Sequence, residues 1–153
     1  MTTAEISTGG KERQVGQVHI EITVTNLSDA ILARNGHLAP GLVRTETMSD
    51  VLVDTGALML CLPADAVARL GLEVDREVQV ETAAGPSRMR IMRGVTLEVM
   101  GRGAPFQCIE TPAGTPPLLG AIPMETLGLQ PDLQNQRLIQ LPDNGPGTYI
   151  LAY

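Results

Sequence analysis

The chain has almost no aromatic residues: its 153 residues include one Phe, two Tyr and no Trp. Apolar residues still make up 43% of the sequence, so the hydrophobic core must be built from Val, Leu, Ile, Met and Ala. Basic residues are also scarce, and the formal net charge is −6 at pH 7. Because a nucleic-acid-binding surface needs clustered Lys and Arg, this composition argues against one. We interpret Arg88, Arg90 and Arg93 as the polar face of a strand.

Cysteine and histidine are equally sparse. Cys61 and Cys108 lie far apart and match no metal or redox spacing, so we expect two buried free thiols. His19 and His37 have no partner spacing either, and we interpret both as surface residues; no metal or other cofactor is predicted. No apolar stretch is long enough to span a membrane, and residues 1–14 lack the apolar centre of a signal peptide. The sequence therefore predicts a cytoplasmic protein without a membrane partner.

The length predicts one domain, and the sixteen Gly and eleven Pro indicate many turns, as in a β-rich fold. We divide the chain into a flexible leader (1–14), a single domain (15–142) and a tail (143–153). Apolar residues alternate with polar ones from Val18 to Val24, which predicts a half-buried strand. Residues 26–47 are less regular and contain turn signals, so we predict a long hairpin or excursion there and leave its role open.

One or two short helices are expected. The first covers Ala64–Leu70, opened by Pro63 and ended by Gly71; the second has Pro123 at its first position and Gly128 at its end. Both helices finish on a Leu-Gly-Leu triplet, and each follows an apolar strand with a glycine turn. This similarity suggests an internal pseudo-symmetry. Between them, alternating strands flank the small residues 82–87, which predicts a β-hairpin with a mobile tip.

The apolar run Val51-Leu52-Val53 leads directly into Asp54-Thr55-Gly56-Ala57. Such a strand places one carboxylate on a tight turn, where Gly56 permits a close backbone approach. The carboxylate can then face a cleft. The plainer interpretation is an ordinary turn in which Asp54 accepts local backbone hydrogen bonds.

With these residues in view, the chain resembles retropepsin-like aspartic proteases, the single-domain class that includes retroviral proteases and their bacterial relatives. The resemblance rests on residues 52–57, on Leu62-Pro63 before a short helix, on the Gly85 hairpin, and on residues 118–120 before a final helix. It covers roughly residues 15–142. It implies a mainly β fold, a closed barrel-like single domain acting as a homodimer. The chain departs from the retroviral pattern at Leu58 and Ile122, where viral members usually carry polar residues.

The resemblance also implies the site. Two carboxyls about 3 Å apart cannot both ionise readily and share a proton, so one acts as base and the other as acid. Only Asp54 has the matching turn, so the second carboxyl is expected from a second copy across a twofold axis. Thr55 would bond across that axis, and Gly56 would donate its N–H to a carboxylate. Contacts to an extended peptide are expected from the turn, the hairpin and neighbouring strands: Ala57, Leu58, Ala84, Gly85, Ile91 and Ile122.

The leading hypothesis is a homodimeric aspartic endopeptidase acting on peptide or protein substrates. An alternative is a catalytically weak or silent dimer of the same fold that serves as a peptide-binding or scaffold module. A third is a protease that is active only with a partner or after trimming of residues 1–14 or 143–153.

Overall fold

A computed structural model describes residues 16–142. The predicted leader, 1–14, and the predicted tail, 143–153, lie outside these residues. The described part of the chain contains nine strands: β1 (Val18–Asn26), β2 (Thr45–Val53), β3 (Leu60–Pro63), β4 (Glu73–Thr82), β5 (Gly85–Val99), β6 (Arg102–Thr111), β7 (Leu118–Leu119), β8 (Leu129–Asp132) and β9 (Arg137–Gln140). It also contains three α-helices, α1 (Leu27–Arg34), α2 (Ala64–Leu70) and α3 (Ala121–Leu127), and a 3₁₀ turn at Pro40–Leu42.

Seven strands form one sheet in the order β1-β2-β7-β3-β6-β5-β4, and β1 also pairs with β5. That extra pairing closes six of the strands into a barrel and leaves β4 at the edge of the sheet, where β5 is its strand partner. The β2–β7 and β3–β6 pairs are parallel, and the other pairs are antiparallel. Strands β8 and β9 form a separate two-stranded sheet. The predicted mainly β fold with a closed barrel is confirmed.

The barrel encloses an aliphatic core, as the scarcity of aromatic residues requires. Inward-facing residues of β1 alternate as predicted, with Val18, Ile22 and Val24 buried. Both cysteines are free and buried, which confirms that prediction. Burial, with smaller contributions from the nearby Cys61 and Glu110, raises the pKa of the Cys108 thiol to about 12.

Helix α2 and the hairpin follow the sequence prediction closely. Helix α2 covers Ala64–Leu70 and ends at Gly71, which has left-handed backbone angles (φ 64°, ψ 35°). The hairpin joins β4 to β5, with Thr82 opposite Gly85 at its tip. Strand β5 continues past the hairpin to Val99. Its pairing with β6 shifts register between Met92 and Val95, where Gly94 has a positive φ of 78°.

The prediction for residues 26–47 is wrong in part, because this segment contains helix α1. The Asn26 side chain accepts a hydrogen bond from Asp29 N (3.0 Å) and so caps the helix. Asp29 in turn binds the Arg44 guanidinium in a bidentate manner (2.8 and 3.0 Å), and this pair lowers the pKa of the Asp29 carboxyl. Polar contacts between distant residues therefore hold the segment. Residues 16–142 thus contain three short α-helices, where one or two were expected.

Two smaller predictions are also corrected. Helix α3 begins at Ala121, so Pro123 is its third residue rather than its first; Gly128 ends it with left-handed angles as predicted. His37 is exposed as expected, whereas His19 is half-buried because β1 lies between β2 and β5 in the barrel. The arginines of β5 are exposed and paired with carboxylates, which confirms a polar strand face: Arg88 with Glu77, Arg90 with Glu110, and Arg93 with Glu73.

Candidate active site

The Asp54 turn begins where β2 leaves the barrel. Asp54 N donates to Leu119 O of the neighbouring strand β7 (2.9 Å), which fixes the end of β2. Within the turn, Gly56 N donates to Asp54 Oδ1 (2.9 Å), and Ala57 N donates to Asp54 O (3.1 Å). A Cβ at position 56 would lie 3.1 Å from Asp54 Oδ1, so glycine leaves room for this contact. The carboxylate is therefore held by its own turn.

Among the described residues, the Asp54 carboxylate has no cationic partner. The residue is half-buried, and Thr55 and Gly56 beside it are exposed. Within residues 16–142, no Lys, Arg or His side chain forms an ion pair with Asp54. Cys61 lies close enough for the Asp54 charge to act with burial in raising the pKa of that thiol, burial being the larger cause.

The second glycine turn, Gly120-Ala121, packs directly against the Asp54 turn. Ala121 N donates to Ala57 O (2.8 Å), and Ile122 N donates to Leu58 O (2.9 Å). A Cβ on Gly120 would lie 2.8 Å from Ala57 O and 2.8 Å from Leu58 C, and closer still to Met59 O. The two turns of the predicted internal repeat are thus in contact. Only the first carries a carboxylate.

The residues predicted to contact substrate fall into two groups. Ala57, Leu58 and Ile122 lie together at the turn, and the last two are exposed by 65% and 42%. Leu58 and Ile122 border a cavity of about 270 Å³. Ala84 and Gly85 lie at the hairpin tip, where Ala84 N donates to Thr82 Oγ1 and that hydroxyl donates to Gly85 O.

Ile91 is placed differently from the expectation. Its side chain is only 3% exposed, because β5 carries it between β4 and β6. In the single chain it belongs to the interior and offers no surface to a peptide.

The cavity beside the turn also brings in residues that sequence reasoning missed. Phe106, Gln107 and Arg76 line it together with Leu58 and Ile122. Strand β4 supplies Arg76, strand β6 supplies Phe106 and Gln107, and helix α3 supplies Ile122. These elements are distant in the sequence and meet only in the folded chain. The one sequence signal was that Phe106 is the only phenylalanine of the chain.

The described part of the chain offers no obvious metal centre: in residues 16–142, no group of three or more His, Cys, Asp or Glu side chains could hold an ion. Among the helices of these residues, none is long and apolar enough to cross a membrane.

Comparison with known proteins agrees with the fold and the turn. The sequence profile of the aspartyl protease family matches residues 39–133, which is more than half of the chain and includes the Asp54 turn, the hairpin and the Gly120 turn. No curated protein matches the chain. The closed barrel with three short helices agrees with the same assignment. The chain therefore belongs to the aspartyl protease family, as a retropepsin-like member.

Proposed function

We propose that this chain is an aspartic endopeptidase whose active site forms between two copies, each contributing Asp54. The observation that carries the proposal is the Asp54 turn, which holds one carboxylate beside two exposed residues. Asp54 lies at the end of a barrel strand with its carboxylate oriented by Gly56 N, and the companion turn at Gly120-Ala121 has no acid. Since the shared proton of this chemistry needs two carboxyls, the second is expected from another molecule.

Twofold symmetry supplies that second carboxyl without any further residue. In a dimer of this kind the same surface faces itself, so an exposed turn near the axis meets its own copy. Thr55 and Gly56 are the exposed residues of the turn and would form the contact. Within residues 16–142 the Thr55 side chain has no hydrogen-bond partner, which leaves its hydroxyl available to bond across the axis.

Each residue then has a defined role in peptide hydrolysis. One Asp54 removes a proton from the attacking water, while the other, protonated, donates to the carbonyl oxygen. The Gly56 N–H keeps the carboxylate oxygens oriented. The β4–β5 hairpin, whose strand β4 lies at the edge of the sheet, would close over an extended peptide and bond its main chain.

The first test compares the wild-type chain with Asp54→Asn on a library of extended peptides at mildly acidic pH. The wild type should cleave, and the variant should lose about 10²-fold or more, as expected when a general acid–base group is removed. Glu98→Gln is the matched control, because it removes an exposed carboxylate elsewhere in the barrel. Cleavage retained by Asp54→Asn would refute the assignment. Peptide binding without cleavage at any pH would favour the silent scaffold.

A mixing experiment tests the shared site itself. When wild type and Asp54→Asn are mixed in equal amounts and allowed to exchange, random pairing leaves about one quarter of the dimers with two intact carboxyls. Activity should therefore fall to about one quarter of that of the same total amount of wild type. A site complete within one chain would instead leave about one half.

A further inference from the structure

The β4–β5 hairpin leaves the barrel at a point where one ion pair joins the two. We call residues 77–90 the hairpin arm. We propose that Arg90 of the arm and Glu110 of β6 are positioning residues, which set the angle of the arm and so the place of its tip when a peptide lies along the Asp54 turn. This inference deepens the proposed function and rests on it, since it assumes that the hairpin closes over a peptide.

The strand pairings show where the arm begins. Strand β5 pairs with β6 as far as Ile91. Beyond that residue β5 continues beside β4, with Arg90 opposite Glu77. Strand β6 continues instead beside β3, with Glu110 opposite Leu62. Arg90 therefore belongs to the arm and Glu110 to the barrel, and their ion pair bridges the first position at which the two strands separate.

A cavity and two register shifts mark the same place. The cavity, of about 210 Å³, is lined by residues 87–90 of the arm, by residues 110–112 and by Ala64. It therefore lies between the arm and the end of β6. On the barrel side of the ion pair, β4 shifts register at residues 74–76 and β5 shifts at residues 92–95. Such irregularities let strands bend, so the arm has both a place to bend and open space beside it.

The contact between Arg90 and Glu110 has the geometry of a strong ion pair. Arg90 Nε and Nη2 donate to the two oxygens of the Glu110 carboxylate, both at 2.8 Å. The Glu110 side chain is only 15% exposed, so water and salt screen the pair less than they screen a fully exposed one. Exposed ion pairs usually contribute little, and bidentate Arg–carboxylate pairs are the exception. In the part of the chain that the structure describes, no other side chain of the arm forms a hydrogen bond or ion pair with the barrel.

The length of the arm amplifies a small tilt. Gly85 at the tip is five residues from Arg90, which is about 17 Å along an extended strand. A tilt of about 10° at Arg90 then moves the tip by about 3 Å, which is a full hydrogen-bond length. Loss of the ion pair should therefore lower the fraction of chains whose tip can bond a peptide main chain. The apparent affinity for the peptide falls with that fraction.

The first experiment measures the arm directly and needs no enzymatic activity. Spin labels are attached to Ala84→Cys at the tip and to Glu98→Cys on the barrel part of β5, both at exposed positions, while the native cysteines are buried. The labelled chain is diluted with unlabelled wild type, so that pulsed electron paramagnetic resonance reports distances within one chain. We expect Arg90→Gln to shift or broaden the distance between the labels by about 3 Å or more. The charge-swapped double variant Arg90→Glu/Glu110→Arg should narrow it again.

Arg88→Gln is the matched control. Arg88 lies on the same strand and pairs with Glu77 at 3.4 Å, but both partners belong to the arm. Its loss should leave the distance between the labels unchanged.

The second experiment measures cleavage of an extended peptide. Arg90→Gln should raise KM about 3-fold or more and change kcat less, because fewer chains hold the tip where it can bind. The charge-swapped variant should recover most of the loss. A residue with a merely structural role would not show this division between KM and kcat together with the recovery.

The outcomes separate this proposal from the function on which it rests. A distance between the labels that is unchanged in Arg90→Gln, or changed equally by Arg88→Gln, overturns the proposal. A changed distance beside an unchanged KM, in a wild type that cleaves, also overturns it, because the arm would then have no part in the reaction. A wild type that cleaves no peptide overturns the proposed function, and the label distances still decide whether the ion pair holds the arm.

Discussion

Gly120 is the position where a single added methyl group should do the most damage. Its backbone angles (φ −91°, ψ −174°) are extended and open to any residue, so conformational freedom is not the reason for glycine here. The reason is contact: a Cβ would lie 2.8 Å from both Ala57 O and Leu58 C, and nearer to Met59 O. These are backbone atoms and cannot rotate away. Gly120→Ala must therefore separate the two turns.

The cost has two parts. Overpacking of this kind typically destabilises by about 1–3 kcal/mol. Separating the turns also strains the hydrogen bonds from Ala121 N to Ala57 O and from Ile122 N to Leu58 O, each worth about 1 kcal/mol. We expect Gly120→Ala to lower the free energy of unfolding by roughly 2–5 kcal/mol, a large share of the roughly 5–15 kcal/mol typical of a domain.

Urea unfolding followed by circular dichroism measures this, and it suits a chain without Trp. All variants are compared at one protomer concentration, because self-association would shift the midpoint. Gly41→Ala is the control: a Cβ there meets nothing within 4 Å, and its φ is not positive. It should leave stability unchanged within about 1 kcal/mol. A Gly120→Ala variant as stable as Gly41→Ala would show that the turns are not packed as described.

Two further predictions concern buried groups. Asn26→Ala removes both the acceptor for Asp29 N and the donor to Leu70 O (2.8 Å). We expect it to lower the free energy of unfolding by about 2–3 kcal/mol in the same assay. Asn26→Ser keeps only the helix cap and should recover about half of that stability, so equal losses in the two variants would contradict the dual role of Asn26. Burial raises the pKa of Cys108 to about 12 and also raises that of Cys61. Both thiols of the native protein should therefore resist iodoacetamide at pH 8, whereas mass spectrometry should show two alkylated cysteines in denaturant. Rapid labelling of Cys108 in the native protein would refute its burial.

Much of the fold could be predicted because its signals are local. Strand β1 shows a period of two, helix α2 lies between Pro63 and Gly71, and the hairpin has small residues at its tip. Each of these features depends on residues that are neighbours in the sequence. The Asp54 turn belongs to the same class, since its hydrogen bonds to Gly56 and Ala57 are formed within four residues.

Helix α1 could not be predicted from periodicity, because it has no buried apolar face. Ile31 and Leu32 are exposed, and the buried residue of the helix is Asp29. Its main support is Arg44, fifteen residues away, through a bidentate ion pair. A contact of this kind leaves no repeating pattern in the sequence. The pocket beside Leu58 was missed for a similar reason, since strands distant in sequence supply Phe106 and Arg76.

Strand β9, Arg137–Gln140, shows that an apolar residue can indicate burial without indicating the strand partner. Leu138 is buried, as its apolar character suggests. The strand pairs with β8 in a separate sheet instead of entering the barrel. Leu141 follows the strand and donates its N–H to Gly128 O (2.8 Å), which ties the segment to the end of α3.

The two glycine turns differ in a way that supports the proposal of a second carboxyl from another copy. Helices α2 and α3 end alike, at Gly71 and Gly128 in the left-handed region, and a glycine turn precedes each helix. The Gly120 turn, however, uses its N–H groups to bind the carbonyls of residues 57 and 58, so it covers that flank of the Asp54 turn and brings no acid to it. The opposite flank, Thr55 and Gly56, stays exposed. In the proposed dimer the second acid approaches from this open side, where a symmetric partner presents the same face.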